Sequence, residues 1–251
     1  MVIKEIFPNP TVKQVVFGVT FPNLFYIENK IGEFQMKIMN EFPHSELVYR
    51  RNILFADIGP KDDIKPMSEE RGSKIWEFKS PDKNSTLGIT TNNLSIVSKH
   101  YKTYNLDGGE KFRDIINSIV TKFNDVMNLS TFSKIGLRYI DECPVPAMDN
   151  EKFKEYYNST FDLERFPLKD CTETFSRTVT KRGKHNLIYM EALQKNKEKD
   201  NFIFYMDFDS FASNVPANNF LTVTDELHNI ISTEYERTIR EPVYEYMKKK
   251  V

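Results

Sequence analysis

The residue pair Arg138-Tyr139 lies in a segment whose apolar residues alternate as in a β-strand. Gly136 comes two residues earlier, and a glycine within a strand allows a ligand or another backbone to approach closely. An arginine at such a place could bind a carboxylate or a phosphate through two parallel hydrogen bonds. The alternative, which is favoured, is a structural ion pair with an acidic residue on a neighbouring strand. Arg138 and Tyr139 are therefore candidates for ligand binding, with this alternative beside them.

A second candidate site is the predicted hairpin over residues 177–185. Its basic or potentially basic residues are Arg177, Lys181, Arg182, Lys184 and His185. Such a cluster around a turn could contact phosphates, mainly without regard to base sequence. Exposed hairpin turns also carry lysine for solubility alone. The hairpin therefore supports nucleotide or nucleic-acid binding as an alternative function.

Three carboxylates, those of Glu191, Asp207 and Asp209, fall in segments that are predicted to pair as a hairpin. Carboxylate oxygens are ligands that Mg²⁺ and Mn²⁺ prefer. Asp207 and Asp209 lie two residues apart and so share one face of a strand. The other face, predicted to be the core face, holds Phe202, Phe204, Met206 and Phe208. The aspartates are then expected to point to solvent, so the three carboxylates are weak metal candidates, and a metal-dependent enzyme is a second alternative.

Motifs of the common catalytic mechanisms are absent from the sequence. It contains no phosphate-binding P-loop, no dinucleotide-binding glycine motif, no H-E-x-x-H helix and no G-x-S-x-G turn. The four histidines lack the spacing of metal ligands, and His228 is interpreted as a packing residue rather than a base. The sequence predicts no catalytic residue, no metal site and no cofactor, and it leans toward a protein that is not an enzyme.

The elements that position these residues are predicted from hydrophobic periodicity. The central unit is a helix with a continuous apolar stripe from Phe112 to Met127, with Asp107 as its expected cap, followed by the strand Phe132–Asp141. A strand is predicted over residues 12–21, and residues 59–72 are predicted to form a long exposed loop. Strand meanders are predicted over residues 74–101 and 171–209, and further helices over residues 28–42, 218–235 and 240–250.

This order of elements predicts an α+β fold with a mostly antiparallel sheet, built from two meanders, and with helices packed on one face. A meander followed by a helix occurs twice, which indicates weak internal duplication of elements rather than of residues. We expect one domain over residues 1–251, with a division near residues 145–170 as the alternative.

Composition narrows the functional classes. The 251 residues are 39% apolar and 13% aromatic, as in a globular protein. The 35 basic and 36 acidic residues give a net charge of −1, which provides no overall attraction to nucleic acid or to an anionic membrane. Cys143 and Cys171 are too few for a disulfide framework, and the N-terminus lacks the pattern of a secretory signal. We therefore expect a cytoplasmic protein with no membrane partner.

The chain resembles an uncharacterised, sporadically distributed prokaryotic family of proteins of about this length that is known by a catalogue number alone. The residues that carry the resemblance are Pro10 with Val12-Lys-Gln-Val-Val-Phe17, Trp76-Glu-Phe78, Leu94-Ser-Ile96 with Tyr101, Ile135-Gly-Leu-Arg-Tyr-Ile140, Asp207-Phe-Asp209, and Leu227-His228 before Tyr235-Glu-Arg-Thr-Ile239. Members usually have Asn after the Arg-Tyr-Ile core, where this chain has Asp141. The resemblance implies one fold over nearly the whole chain and a prokaryotic or phage source, but no activity.

The sequence thus favours a non-catalytic intracellular protein-interaction module. Its expected partner is another protein, recruited at the edges of the sheet. The sporadic distribution of the family that it resembles implies a prokaryotic defence or toxin–antitoxin-like setting. Nucleotide or nucleic-acid binding and metal-dependent catalysis stay open as alternatives.

Overall fold

The computed structural model of the chain describes residues 5–50, 73–196 and 201–249. Within these residues the strands form one nine-stranded sheet, and every pairing between neighbouring strands is antiparallel. The strands are β1 (Val12–Thr20), β2 (His44–Arg50), β3 (Ser73–Lys79), β4 (Ser85–Ile89), β5 (Asn93–Ser98), β6 (Thr131–Cys143), β7 (Glu173–Arg182), β8 (His185–Asn196) and β9 (Asn201–Pro216). With the helices described next, they confirm the predicted α+β class. The predicted loop over residues 59–72 lies outside the described residues.

Five α-helices accompany the sheet in the described part of the chain. They are α1 (Ile27–Ile38), α2 (Phe112–Met127), α3 (Asn150–Tyr156), α4 (Phe220–Thr238) and α5 (Glu241–Lys248). The predictions for α1, α2, α4 and α5 are confirmed to within a few residues at each end. No helix in the described ranges is both long enough and apolar enough to span a membrane.

The spatial order of the strands is β2-β3-β4-β5-β1-β6-β9-β8-β7. The first strand of the chain, β1, therefore lies near the middle of the sheet, between β5 and β6. Consecutive strands are neighbours on both sides of it, from β2 to β5 and again from β7 to β9. Strand β2, which follows α1 and forms one edge, was not predicted from the sequence.

Alternating side chains of the central strands form the core. Val15, Phe17 and Val19 of β1 are at most 2% exposed, as the alternation in the sequence predicts. They lie opposite Tyr139, Leu137 and Ile135 of β6 in the ladder. Helices α1 and α2 contact each other beside this core. Phe123 of α2 packs against Phe21, which follows β1, with tilted rings, and against Phe34 of α1 with perpendicular rings. Farther along the chain, α4 packs against β6 and β9.

The start of α2 differs from the prediction. The helix begins at Phe112, so Asp107 is not its cap, and the side chain of Asp107 instead accepts a bond from Lys111. The first backbone N–H groups of α2 donate to the carbonyl oxygens of Thr103 and Tyr104. A preceding loop therefore satisfies donors that a capping side chain would otherwise satisfy, and it fixes residues 101–106 beside the helix.

Candidate functional site

A cavity of about 390 Å³ lies between the buried face of the sheet, helix α4 and two segments that precede β1 and α2. Most of its wall is apolar or aromatic. Residues of the wall that form hydrogen bonds or ring contacts within the protein include Thr11, Tyr101, Tyr104, Tyr139, Asp141, His228 and Tyr235. A concave apolar site of this size with a few convergent polar groups is typical of small-molecule pockets.

Strand β6 supplies two of these groups because side chains two residues apart point to the same face of a strand. Tyr139 and Asp141 both face the cavity, beyond Leu137, which is fully buried in the core. The ladder between β1 and β6 shifts register between Val12 and Gln14. The backbone N–H of Glu142 donates to the carbonyl oxygen of Thr11 at 2.9 Å, which holds the segment before β1 against β6.

Asp141 is the most unusual residue of the cavity, because this acidic residue is only 4% exposed and its carboxyl group has no basic hydrogen-bond partner in the described residues. The hydroxyl of Thr11 donates to Oδ1 at 2.7 Å, and the hydroxyl of Tyr235 lies 2.7 Å from the same Thr11 oxygen. With Thr11 donating to Asp141, the proton between the two hydroxyls comes from Tyr235. A chain of hydrogen bonds therefore runs from α4 to β6.

Only one oxygen of the Asp141 carboxyl takes part in this chain. Within the described ranges Oδ2 accepts no hydrogen bond, while the residue lines the cavity. Burial raises the pKa of Asp141 to about 7, because a charged carboxylate loses its hydration there. The cavity thus contains a carboxyl group that is close to its titration point at neutral pH and has an open acceptor.

His228 forms the wall beside Tyr104 and Tyr139. Its ring stacks on that of Tyr104, with centroids 4.1 Å apart and an angle of 18° between the planes. Its Nδ1 lies 3.4 Å from the hydroxyl of Tyr139. Burial lowers the pKa of His228 to about 4, so its ring is neutral at neutral pH. His228 therefore adds no positive charge to the cavity at neutral pH.

An ion pair behind this wall holds it in place. Arg113 of α2 donates two hydrogen bonds to Asp225 of α4, from Nε at 2.8 Å and from Nη2 at 2.9 Å. The hydroxyl of Tyr104 donates to the same carboxylate at 2.7 Å. Burial acts to raise the pKa of Asp225, but the bonds from Arg113 and Tyr104 lower it below its ordinary value. Three separate parts of the chain thus meet at one carboxylate.

The structure separates the two sequence candidates Arg138 and Tyr139. Tyr139 faces the cavity, whereas Arg138 lies on the opposite face of the sheet. There Arg138 makes two hydrogen bonds to Asp207 of β9, one of them from Nε to Oδ1 at 2.8 Å. This is the structural ion pair that the sequence favoured. Gly136 comes close to Asp209 and Phe211 of β9 on that same face.

Three of the five basic residues of the 177–185 hairpin bind acidic residues of α4. Arg182 donates to Glu234 at 2.7 Å, and both Lys184 and His185 contact Glu226. The two others, Arg177 and Lys181, form no ion pair with any described residue and lie on the face of β7 opposite the core. The hairpin is therefore a docking point for α4 more than a free basic surface.

The three carboxylates considered as metal ligands do not converge. Glu191 pairs in register with Met206 and lies on the core side of the sheet, while Asp207 and Asp209 lie on the other side. Glu191 accepts hydrogen bonds from the hydroxyl of Ser159 at 2.6 Å and from the backbone of Thr160 at 2.8 Å. No group of three potential metal ligands occurs in the parts of the chain that the structure describes.

Sequence reasoning missed most of the cavity, although it placed Tyr139 and His228 on the correct elements. Asp141 carried a usable signal, because it continues the buried face that Leu137 and Tyr139 begin. A carboxylate at a position that alternation assigns to the core is unusual and commonly marks a functional or paired group. The partners Thr11 and Tyr235 carried no such signal, since their contacts with Asp141 depend on the folding of distant segments.

Comparison with known proteins adds no functional assignment. No model of a known protein family matches the chain, and a search of curated proteins found no match.

Proposed function

We propose that the chain is a non-catalytic binding module that takes a small organic molecule into the cavity between the sheet and α4. One observation carries the proposal: an apolar and aromatic cavity of about 390 Å³ holds a buried carboxyl group with one oxygen free of protein partners. This oxygen is not among the fully buried side-chain atoms without a partner in the described residues, so it is open to the cavity. A hydrogen bond from a ligand to a charged carboxylate contributes about 1.5–3 kcal/mol.

The rigid surroundings of the cavity support the same proposal. The ion pair between Arg113 and Asp225 joins α2 to α4, and the bond between Tyr104 and Asp225 joins both to the loop before α2. Side chains held in this way lose little freedom when a ligand binds, which favours affinity. No reaction is proposed, because the geometry presents groups that bind rather than a nucleophile activated by a base.

A ligand screen with a blocked cavity tests this function. Ser232 of α4 lines the cavity, so Ser232→Phe fills part of it from a partly exposed helix position. Thr233, the next residue, is exposed, and Thr233→Phe is the matched control. Ligand-observed NMR with a fragment library should detect binders of the wild type that Ser232→Phe loses and Thr233→Phe keeps. Equal binding to all three proteins would remove the cavity from consideration.

A second candidate function is the recruitment of another protein at the edge strand β7. Phe175 and Val179 on this strand are 60% and 55% exposed, on the face opposite the core. An edge strand offers unpaired backbone groups to which an extended segment of a partner can add. This candidate function assumes that the sheet consists of two meanders, with helices on one face and the other face open to a partner. It also assumes that the chain is one domain, because strands from both halves of the chain share one sheet.

Replacement of the exposed apolar residues tests the second candidate. Phe175→Lys combined with Val179→Lys places charges on the edge and should abolish co-purification of the partner from the native host. Arg177→Lys, at the position between them on the same face, is the control that keeps the charge and the edge. Retention of the same partner by the double variant would exclude β7 as the interface. A salt-sensitive gain of bound nucleotide in the double variant instead would favour the basic-hairpin alternative.

A further inference from the structure

We propose that the ligand of the cavity is a small organic cation, a protonated amine on an apolar or aromatic body, whose N–H group donates to Oδ2 of Asp141. This inference rests on the proposed small-molecule function and names the class of ligand. Three features of the cavity support this class of ligand: the hydrogen bonds of its polar groups, the charges that face it, and the aromatic and aliphatic side chains of its wall.

Four hydroxyl groups around the cavity, those of Thr11, Tyr104, Tyr139 and Tyr235, have hydrogen-bond partners within the protein. Tyr235 is bonded to Thr11, and Thr11 in turn donates to Oδ1 of Asp141. Tyr104 donates to Asp225, and the hydroxyl of Tyr139 faces Nδ1 of His228. Among these hydroxyl and carboxyl groups of the wall, Oδ2 of Asp141 is the acceptor left open to the cavity. A ligand that meets it must bring a donor.

The charge of the cavity favours a positive ligand. Asp141 lies on its inner wall, 4% exposed, with no basic side chain hydrogen-bonded to it in the described residues. His228 is neutral at neutral pH, and Lys102 and Glu5, which carry opposite charges, are both exposed residues of the lining. Lys13 acts on this carboxylate only through space, without a hydrogen bond, and a cation that enters the cavity adds a positive charge in direct contact with it. An anionic ligand would meet the carboxylate without compensation.

The rest of the wall suits the body of such a ligand. Tyr101 and Tyr139 present aromatic rings, and ring faces attract cations within about 6 Å of their centroids. Val15 and Ile231, both at most 4% exposed, add aliphatic surface from the strand and the helix. A volume of about 390 Å³ accommodates a molecule with a ring or a short alkyl chain, at the lower end of ligand pockets.

Matched pairs of amines and alcohols test the class of ligand. Phenethylamine and hexylamine are the cationic probes, and phenethyl alcohol and hexanol have the same bodies without the charge. Isothermal titration calorimetry at about pH 8, where such amines stay protonated as lysine does, gives the four affinities. We expect at least one amine to bind about tenfold more tightly than its alcohol, the ratio expected from a hydrogen bond to a charged group.

Asp141→Asn shows whether the preference comes from this carboxyl group. The variant keeps the size of the side chain and one carbonyl acceptor for Thr11, and it should bind each amine no more tightly than the matching alcohol. Asp209→Asn, the same change on the opposite face of the sheet, should keep the tenfold preference. Circular dichroism of each variant confirms the fold before titration. Ser232→Phe should lose both kinds of probe.

Two results would overturn the inference, and they differ from failure of the proposed function. If the alcohols bind as tightly as the amines, and Ser232→Phe abolishes both, the cavity binds small molecules but not cations. If the preference for amines survives in Asp141→Asn, the cation is recognised elsewhere. If no probe and no library fragment binds the cavity, the proposed function itself fails and this inference fails with it.

Discussion

The hydroxyl of Thr11 lies 2.7 Å from Oδ1 of Asp141, although the two residues are 130 positions apart in the chain. Thr11 comes immediately before the central strand β1, and Asp141 lies near the end of β6, its neighbour in the sheet. Through Tyr235 the same hydroxyl is also connected to α4. These two bonds therefore join three of the parts of the chain that enclose the cavity, and the bond from Thr11 orients one half of the Asp141 carboxyl group while the other half stays open.

Asp141 should make the stability of the protein decrease between acidic and slightly alkaline pH. Its pKa is about 7 in the folded protein and about 4 in the unfolded chain. Between these values the folded state binds more protons, so the free energy of unfolding falls as pH rises. Asp141→Asn removes this loss. We expect the free energy of unfolding of the variant to exceed that of the wild type by up to about 4 kcal/mol at pH 8. At pH 4 the two values should differ far less.

Urea unfolding of both proteins at the two pH values measures this difference. Asp114→Asn, an exposed position on α2, controls for the substitution itself. A stability difference between Asp141→Asn and wild type that is the same at both pH values would contradict the assignment of a buried, uncompensated carboxyl group.

His228 should act in the opposite direction at acidic pH. Its pKa is about 4 in the folded protein and about 6.5 in the unfolded chain, so the unfolded chain binds more protons between these values. Its contribution to stability is present above about pH 6.5 and is lost as the pH falls toward 4. His228→Phe keeps a ring against Tyr104 and removes the titration. We expect His228→Phe to reduce the loss of unfolding free energy between about pH 6.5 and pH 4 by on the order of 2 kcal/mol.

Thermal unfolding between pH 4 and pH 7 tests this expectation. His44→Gln, at an exposed position on β2, controls for the loss of a histidine outside the cavity. If His228→Phe follows the wild-type profile down to pH 4, His228 does not stay neutral in the folded protein.

The ion pair between Arg138 and Asp207 should contribute measurably to stability. Side-chain exposure is 12% for Asp207 and 40% for Arg138, and two hydrogen bonds join them. Arg138→Gln leaves a nearly buried carboxylate without its partner, and we expect a cost of about 1–3 kcal/mol. A double-mutant cycle with Asp207→Asn should give a coupling energy of about 1–2 kcal/mol.

The pair Lys152 and Glu155 on α3 is the reference for this cycle. Both side chains are more than half exposed, at 58% and 54%, and their coupling should stay below about 0.5 kcal/mol. A coupling energy for Arg138 and Asp207 as small as that of the reference would show that the pair is not structural.

Glu191 should be required for the packing of the segment around residues 159–160. Its carboxylate is 1% exposed and accepts hydrogen bonds from the side chain of Ser159 and from both the backbone and the side chain of Thr160. The hydroxyl of Tyr189 donates to the other carboxylate oxygen, so the amide of Glu191→Gln faces either Tyr189 or the groups of residues 159–160, and the remaining acceptor carries no charge. We expect a loss of about 2–4 kcal/mol in unfolding free energy.

Hydrogen exchange of the Thr160 amide gives a local measure of the same effect. It should become faster in Glu191→Gln than in wild type, whereas Glu173→Gln, at an exposed position on β7, should leave it unchanged. Unchanged protection of Thr160 in Glu191→Gln would mean that other contacts hold this segment.

The sequence by itself determined most of the local elements of this protein, although not strand β2. Alternation of apolar residues in β1, β6 and β9 and the apolar stripe of α2 are properties of neighbouring positions, and they predicted strands, helix and buried faces correctly. The sequence also favoured an ion pair for Arg138, because a charged residue within a strand usually needs a partner. The start of α2 was not determined, since its cap is a loop held by tertiary contacts.

Only the tertiary structure decided where the polar groups meet. The register between β8 and β9 places Glu191 on the side of the sheet opposite Asp207. A shift of one residue in this register would move the side chains of one strand to the other face. The docking of α4 brought its acidic residues to the basic hairpin and Tyr235 to Thr11. These contacts join segments far apart in the chain, and no local pattern encodes such distances. The buried carboxyl group of Asp141 was visible in the sequence as an exception, but its cavity exists only in the fold.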